Sequence, residues 1–197
     1  LTTTQVEALS ASAVKGLTTT QVSKLSNDQL KALSTGAVAA LSQTQLGALT
    51  TAQASQLTTD QMAALTATQV KGFETADLVN MTAAQLQAIT TAGVKAMLAD
   101  QVTALTTDQI SELTVAQVGV MTASQVQAIE TADLALMTND QVAALTTTAV
   151  RGMSVDQLSK VTTAQLASLT TAQVRSLSTD GVTGQLRALS NDQVAAL

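Results

Sequence analysis

The stretch Leu57-Thr-Thr-Asp-Gln-Met-Ala-Ala64 decides the fold, because close variants of it tile the chain from its first residue almost to its last. Letter its positions a to h, with a at residue 1 and every eighth residue after. From Leu1 to Gly184 the register then holds for 23 octads without insertion or deletion. Position a is apolar in all 23 and so is f, with Ala54 its smallest member; b is Ser or Thr in 20 and e is Gln in 16.

These columns read together as one short helix per octad. A Ser or Thr at b accepts from a backbone N–H two or three residues on, and the Gln at e reaches back to the N–H of b, completing a capping box. The apolar a before the cap and the apolar f at the fourth helical position have the spacing of a hydrophobic staple. Asp occupies d in Asp28, Asp60, Asp100, Asp108, Asp140, Asp156 and Asp180, within the first turn where the helix dipole favours an anion. Cations gather late, at g, in Lys15, Lys31, Lys71, Lys95, Arg151 and Arg175.

Two other architectures fail on arithmetic. Positions a and f are five apart, so on a strand they would face opposite sides. On one continuous helix, eight residues overshoot two turns by about 80°, and the apolar stripe would wind around the rod. The repeat therefore predicts helices of roughly six residues, about 9 Å long, broken at each b. Helices this short are unstable alone, so each must bury a and f against its neighbours. Position h is Ala, Gly or Ser in 16 of 23 octads, which permits close approach of backbones. The expectation is an all-α solenoid, a superhelix of single short helices, continuous over residues 1–197.

Composition narrows the chemistry. The chain is 46% hydrophobic, ample for a core, yet Phe73 is its single aromatic residue. Five of the six Met residues lie at a and Met62 at f, which makes them core filler rather than metal ligands. There is no Cys and no His, which removes disulfides, thiolate metal sites and the commonest base. A net charge of −5 argues against nucleic acid or anionic membrane as partner. No apolar run reaches the ~20 residues of a membrane span. The chain begins and ends in register, without an initiator Met or capping repeats, as expected of a segment of a longer array.

A longer period overlies the octad. Segment 73–97 matches segment 129–153, seven octads away, pairing Glu74 with Glu130, Asp77 with Asp133, Met81 with Met137 and Lys95 with Arg151. Gln is also missing from e at Ala37, Gly93 and Ala149, each 56 residues apart. Duplication explains this, and so does a superhelix of 3.5 octads per turn. Where Glu stands at b, the cap is expected to shift to Thr75 and Thr131. At Leu98, the apolar b, a weakened cap is expected, with Asp100 as a substitute. The register breaks between Leu177 and Leu189, where the spacing is 12. Val182, Leu186 and Leu189 share one helical face, so Ser178 is expected to cap a helix one turn longer than the rest.

Chemically active constellations are missing. The carboxylates at d are explained by helix starts, and no nucleophile or second acid accompanies them. Asp100 and Asp108 come nearest to a calcium cluster but lack its Gly turn. The basic residues read as a solvated face with no patch. A Thr array suited to ice or another surface is a minor alternative, but b is committed to capping and c holds Thr in only 13 octads. No catalytic, cofactor-binding or metal-binding residue is assigned.

The string Leu1-Thr-Thr-Thr-Gln5, seen again as Leu105-Thr-Thr-Asp-Gln109, resembles the motif of the LTxxQ family of bacterial periplasmic stress chaperones and metal sensors. There it occurs once or twice at helix starts; here it tiles the chain, a likeness of capping. Over its whole length the chain resembles the degenerate repeat regions of very large bacterial secreted or surface proteins. That resemblance implies a non-enzymatic structural or spacer segment, extracellular or at the cell surface, whose partners are the flanking repeats of its own chain. The alternative is a solenoid scaffold that holds a protein or peptide on one face.

Overall fold

The structure, a computed structural model, describes residues 1–179 and 184–197. Among these are 23 α-helices of four to six residues and one 3-10 turn, Gln185–Ala188, with no strand. Nearly every helix starts where the octad places it. Thr58 Oγ1 accepts from the Gln61 N–H at 3.2 Å, and the Thr58 N–H donates to Gln61 Oε1 at 2.9 Å, closing the box in both directions. The same reciprocal pair recurs at Thr106 with Gln109 and at Thr162 with Gln165.

The six-residue helices end on a non-helical residue at a, whereas the shorter α-helices end on a right-handed residue such as Ala64, with φ −80° and ψ −11°. In the six-residue helix Asn27–Ala32, Leu33 at the next a position has φ −62° and ψ 130°, and its N–H donates to the Leu30 carbonyl. The following cap, Ser34, is also extended, so two residues suffice to redirect the chain. None of the described residues has positive φ or a cis peptide bond. The break between helices therefore demands no glycine.

The chain divides into two compact units, Leu1–Leu105 and Thr106–Leu197. Within the first, helices three apart pack together, as Ala11–Lys15 does on Thr35–Ala40 and Ala67–Val70 on Thr91–Ala96. Within the second, Ala123–Ala128 packs on Thr147–Gly152, and that helix on Thr171–Ser176. Position f lies deepest, with Val38, Leu46, Met62, Leu134 and Val150 wholly inaccessible, while buried residues at a such as Leu33, Leu49 and Leu105 remain a few per cent exposed. Small residues at g and h set the approach. A Cβ on Gly72 would stand 2.7 Å from the Gln43 carbonyl, and one on Gly152 would stand 2.6 Å from the Ala123 Cβ.

The variant caps depart from expectation. At Glu74 and Glu130 the cap does not shift: the helices begin at Thr75 and Thr131 with the glutamates as N-caps. Asp77 holds the register, because its Oδ2 accepts the Glu74 N–H at 3.0 Å in place of a Gln. At Leu98 the cap is weakened as expected, and only the Gln101 leg remains, at 2.9 Å. Asp100 does not take over; it lies inside the first turn of Ala99–Thr103.

The break at Leu177–Leu189 is resolved differently from a longer helix. Thr179 and Gly184 are both non-helical, so the 3-10 turn Gln185–Ala188 is no extension of a helix begun at Ser178. Ser178 still caps, but across seven residues. Its Oγ accepts from the Gln185 N–H at 3.1 Å, its N–H donates to Gln185 Oε1 at 3.0 Å, and its carbonyl accepts from the Leu186 N–H at 3.3 Å. Leu186 is half-buried and Leu189 is buried. The expected helical position of Val182 lies outside the described residues.

Candidate functional site

Helix ends leave C-terminal carbonyls without intrahelical partners. In this repeat the e-position Gln of a later octad supplies them. Gln45 Nε2 donates to the carbonyls of Val14 at 3.0 Å and Leu17 at 2.6 Å, while its Oε1 accepts from its own cap at Ser42. Gln61 treats Leu30 and Leu33 alike, Gln69 treats Val38 and Leu41, and Gln101 treats Val70 and Phe73. In the second unit Gln157 reaches Val126 and Ile129, and Gln165 reaches Leu134 and Met137. The acceptors lie 31 and 28 residues back. Twenty-eight residues is 3.5 octads, the geometric explanation of the 56-residue period. One neutral amide thus closes the start of its own helix and the end of another, with both functional atoms used.

Where e is not Gln, the tie changes character. Asp77 and Asp133 are almost wholly buried, unlike the described carboxylates at d, which are exposed. An ionised carboxylate cannot donate, and each instead accepts from a Thr hydroxyl 26 residues back, Thr51 for Asp77 and Thr107 for Asp133, the latter at 2.7 Å. Burial pushes the Asp77 carboxyl above the usual carboxylate range. The Glu74 N–H and Thr51 hydroxyl pull it down, and the Glu74 charge adds to the rise. In the sequence the two acids stand out only as a matched pair 56 residues apart, because burial at e shows only once helices are packed.

The repeat also creates a recurring surface cleft. In the first unit, Lys31 at g faces Ser55, Gln56, Leu57, Thr58 and Thr59 of the octads three and four further on, with Thr82 and Gln85, around a volume of about 290 Å³. In the second unit the same positions are Arg151, then Arg175, Ser176, Leu177, Ser178 and Thr179, around about 370 Å³. The basic residues are therefore not merely scattered: a separation of 24 residues, three octads, brings two arginines to one cleft. Another cleft, about 380 Å³, opens on the first turn between Leu1, Leu17, Gln21, Leu25 and Gln29. Gln29 Nε2 donates to the Leu1 carbonyl there, while Gln5 and Gln21 are exposed.

Among the described residues no group of three or more Asp or Glu side chains is placed to hold a metal ion. No described helix is long and apolar enough to cross a membrane. Comparison with known families finds the model described as ALTTAQ repeat matching residues 22–59, 70–107 and 126–163, together more than half of the chain. All three matches begin at f and end at c, so they share the octad register. Comparison with curated proteins yields no match.

Proposed function

The chain belongs to the ALTTAQ repeat family, and on that premise we propose that it is a non-enzymatic structural spacer within a large bacterial exported or surface protein. One observation carries the reading: the columns that recur are those used to join octad to octad. The b hydroxyl, the e amide and the a and f side chains are all consumed internally. A chain selected for such joints gains length by adding octads and needs no reacting group.

The test is a length change. Excising residues 74–129 joins Phe73 to Glu130 in register, because seven whole octads are removed. The spacer reading expects a shortened chain that remains folded and helical by circular dichroism. Collapse of helicity would show that particular octads, rather than their number, matter. Localisation is tested separately by labelling the Lys side chains of intact producing cells with a membrane-impermeant reagent. Protection of every Lys until lysis would overturn a surface position.

A second reading, a scaffold that holds a ligand on one face, is favoured by the arginine-lined cleft of the second unit. Uniform joints leave g free to vary, and at this cleft g carries two guanidinium groups.

A further inference from the structure

We infer that the cleft formed by Arg151, Arg175, Ser178 and Thr179 binds a tetrahedral oxyanion, a phosphate or sulfate ester carried by a ligand. Two guanidinium groups line one cleft, and among the described residues none that lines it carries a carboxylate. A guanidinium presents a planar fork of N–H donors that matches phosphate or sulfate oxygens, and such charge-assisted bonds are strong. The hydroxyls add to them. Ser178 Oγ accepts from the Gln185 N–H, so its own hydrogen remains a donor, and Thr179 is exposed beside it. Ser176 contributes less, because its hydroxyl already donates to the Gln173 carbonyl at 2.6 Å.

An independent observation lies in the sequence. All three arginines of the chain fall between residues 151 and 187, where with Lys160 they outnumber the acidic residues, Asp156 and Asp180. This interval is net positive in a chain of net charge −5. The equivalent cleft of the first unit has Lys31 and, in place of a second cation, Ser55. It therefore serves as an internal control that shares the backbone pattern and lacks the paired forks.

The three arginines give three side-chain Nε–H resonances, assignable by substitution. The intact chain is titrated with O-phospho-L-serine and, separately, with glucose 6-sulfate, at constant ionic strength set by sodium chloride. A saturable shift of the Arg151 and Arg175 signals is expected, with Arg187 unmoved. Arg151→Gln or Arg175→Gln should weaken binding about tenfold or more, and Lys31→Gln should leave it unchanged. Circular dichroism checks that each variant is folded. Whichever ester saturates at lower concentration identifies the carrier chemistry. Shifts that fail to saturate with either ester, or an Arg151→Gln/Arg175→Gln chain that binds as the parent does, would overturn the site.

Discussion

Gln185 and Asp77 are mirror cases of one joint. Gln185 is out of step by count, four residues late, yet it makes every bond its role requires. It closes the cap with Ser178 and donates to the carbonyls of Val150 at 3.1 Å and Met153 at 2.8 Å, 35 and 32 residues back. Those offsets are the usual 31 and 28 with four added. Asp77 is in step by count, yet keeps only the reverse leg of the cap and exchanges the carbonyl ties for a Thr hydroxyl. The comparison separates two things that a repeat normally merges. Spacing along the chain is negotiable, whereas the carbonyl ties are made only where e carries an amide.

The largest expected effect tests that amide. Gln173→Ala in an unbroken octad and Gln185→Ala at the break should each cost about 2–3 kcal/mol, because buried carbonyls lose their donor as well as the cap losing a leg. Gln173 reaches the carbonyls of Ala143 and Leu145, so the two sites are matched. Equal shifts in denaturant midpoint would sharpen the comparison. A negligible shift for Gln185→Ala alone would break it.

Leu98 offers the reverse experiment, an e-position Gln whose cap partner is missing. Leu98→Thr restores the hydroxyl that the Gln101 N–H lacks and should stabilise by about 0.5–1 kcal/mol. Thermal melts of the two chains decide this. A lower melting temperature for the variant would mean that the exposed leucine contributes more than a cap would.

Asp77→Asn isolates the charge. A carboxyl raised on folding binds its proton more tightly in the folded state, so its contribution weakens as pH rises from the ordinary carboxylate range through the raised value. The neutral amide removes that loss. At pH 7 the variant should have the higher denaturant midpoint, and the difference should shrink on acidification below the ordinary carboxylate range. A difference independent of pH would assign the effect to packing.

The smallest effect is expected from the most drastic edit. Deleting residues 180–183 leaves Leu177-Ser-Thr-Gly-Gln-Leu-Arg-Ala188, an octad with every column filled. Only a shorter connection between groups already bonded is gained, so stability should stay level or rise by no more than about 1 kcal/mol. A marked loss in chemical denaturation would show that the four residues belong to the fold.

Much of this was legible in the residues. The b and e columns gave the helix starts, a and f gave the core, and the 56-residue period hinted at 3.5 octads per turn. One clue in the sequence was available and unused. A capping box accepts Glu as readily as Gln, yet e contains no Glu in any octad. The donor that Gln supplies and Glu lacks accounts for that preference, and it makes the tie to a helix end 28 residues back. The arginine cleft was hidden for a related reason: neighbours at g are 24 residues apart, a spacing visible only after helices three apart are known to touch. The break was misread because helical periodicity was extended across two glycines, when the Ser178 cap was instead met from Gln185.

The 28-residue tie also bears on how the chain comes to be ordered. An α-helix bonds each residue to one four back and must close its first turn before any further bond comes cheaply. Within each unit this protein repeats that logic one level up, with octads for residues and 3.5 octads to the turn. The first tie requires a loop of 28 residues to close with no finished layer to receive it, whereas every later octad lays its amide against carbonyls already in place. A fragment of three octads can make no such tie at all. Order should therefore appear abruptly with length, and then extend one octad at a time.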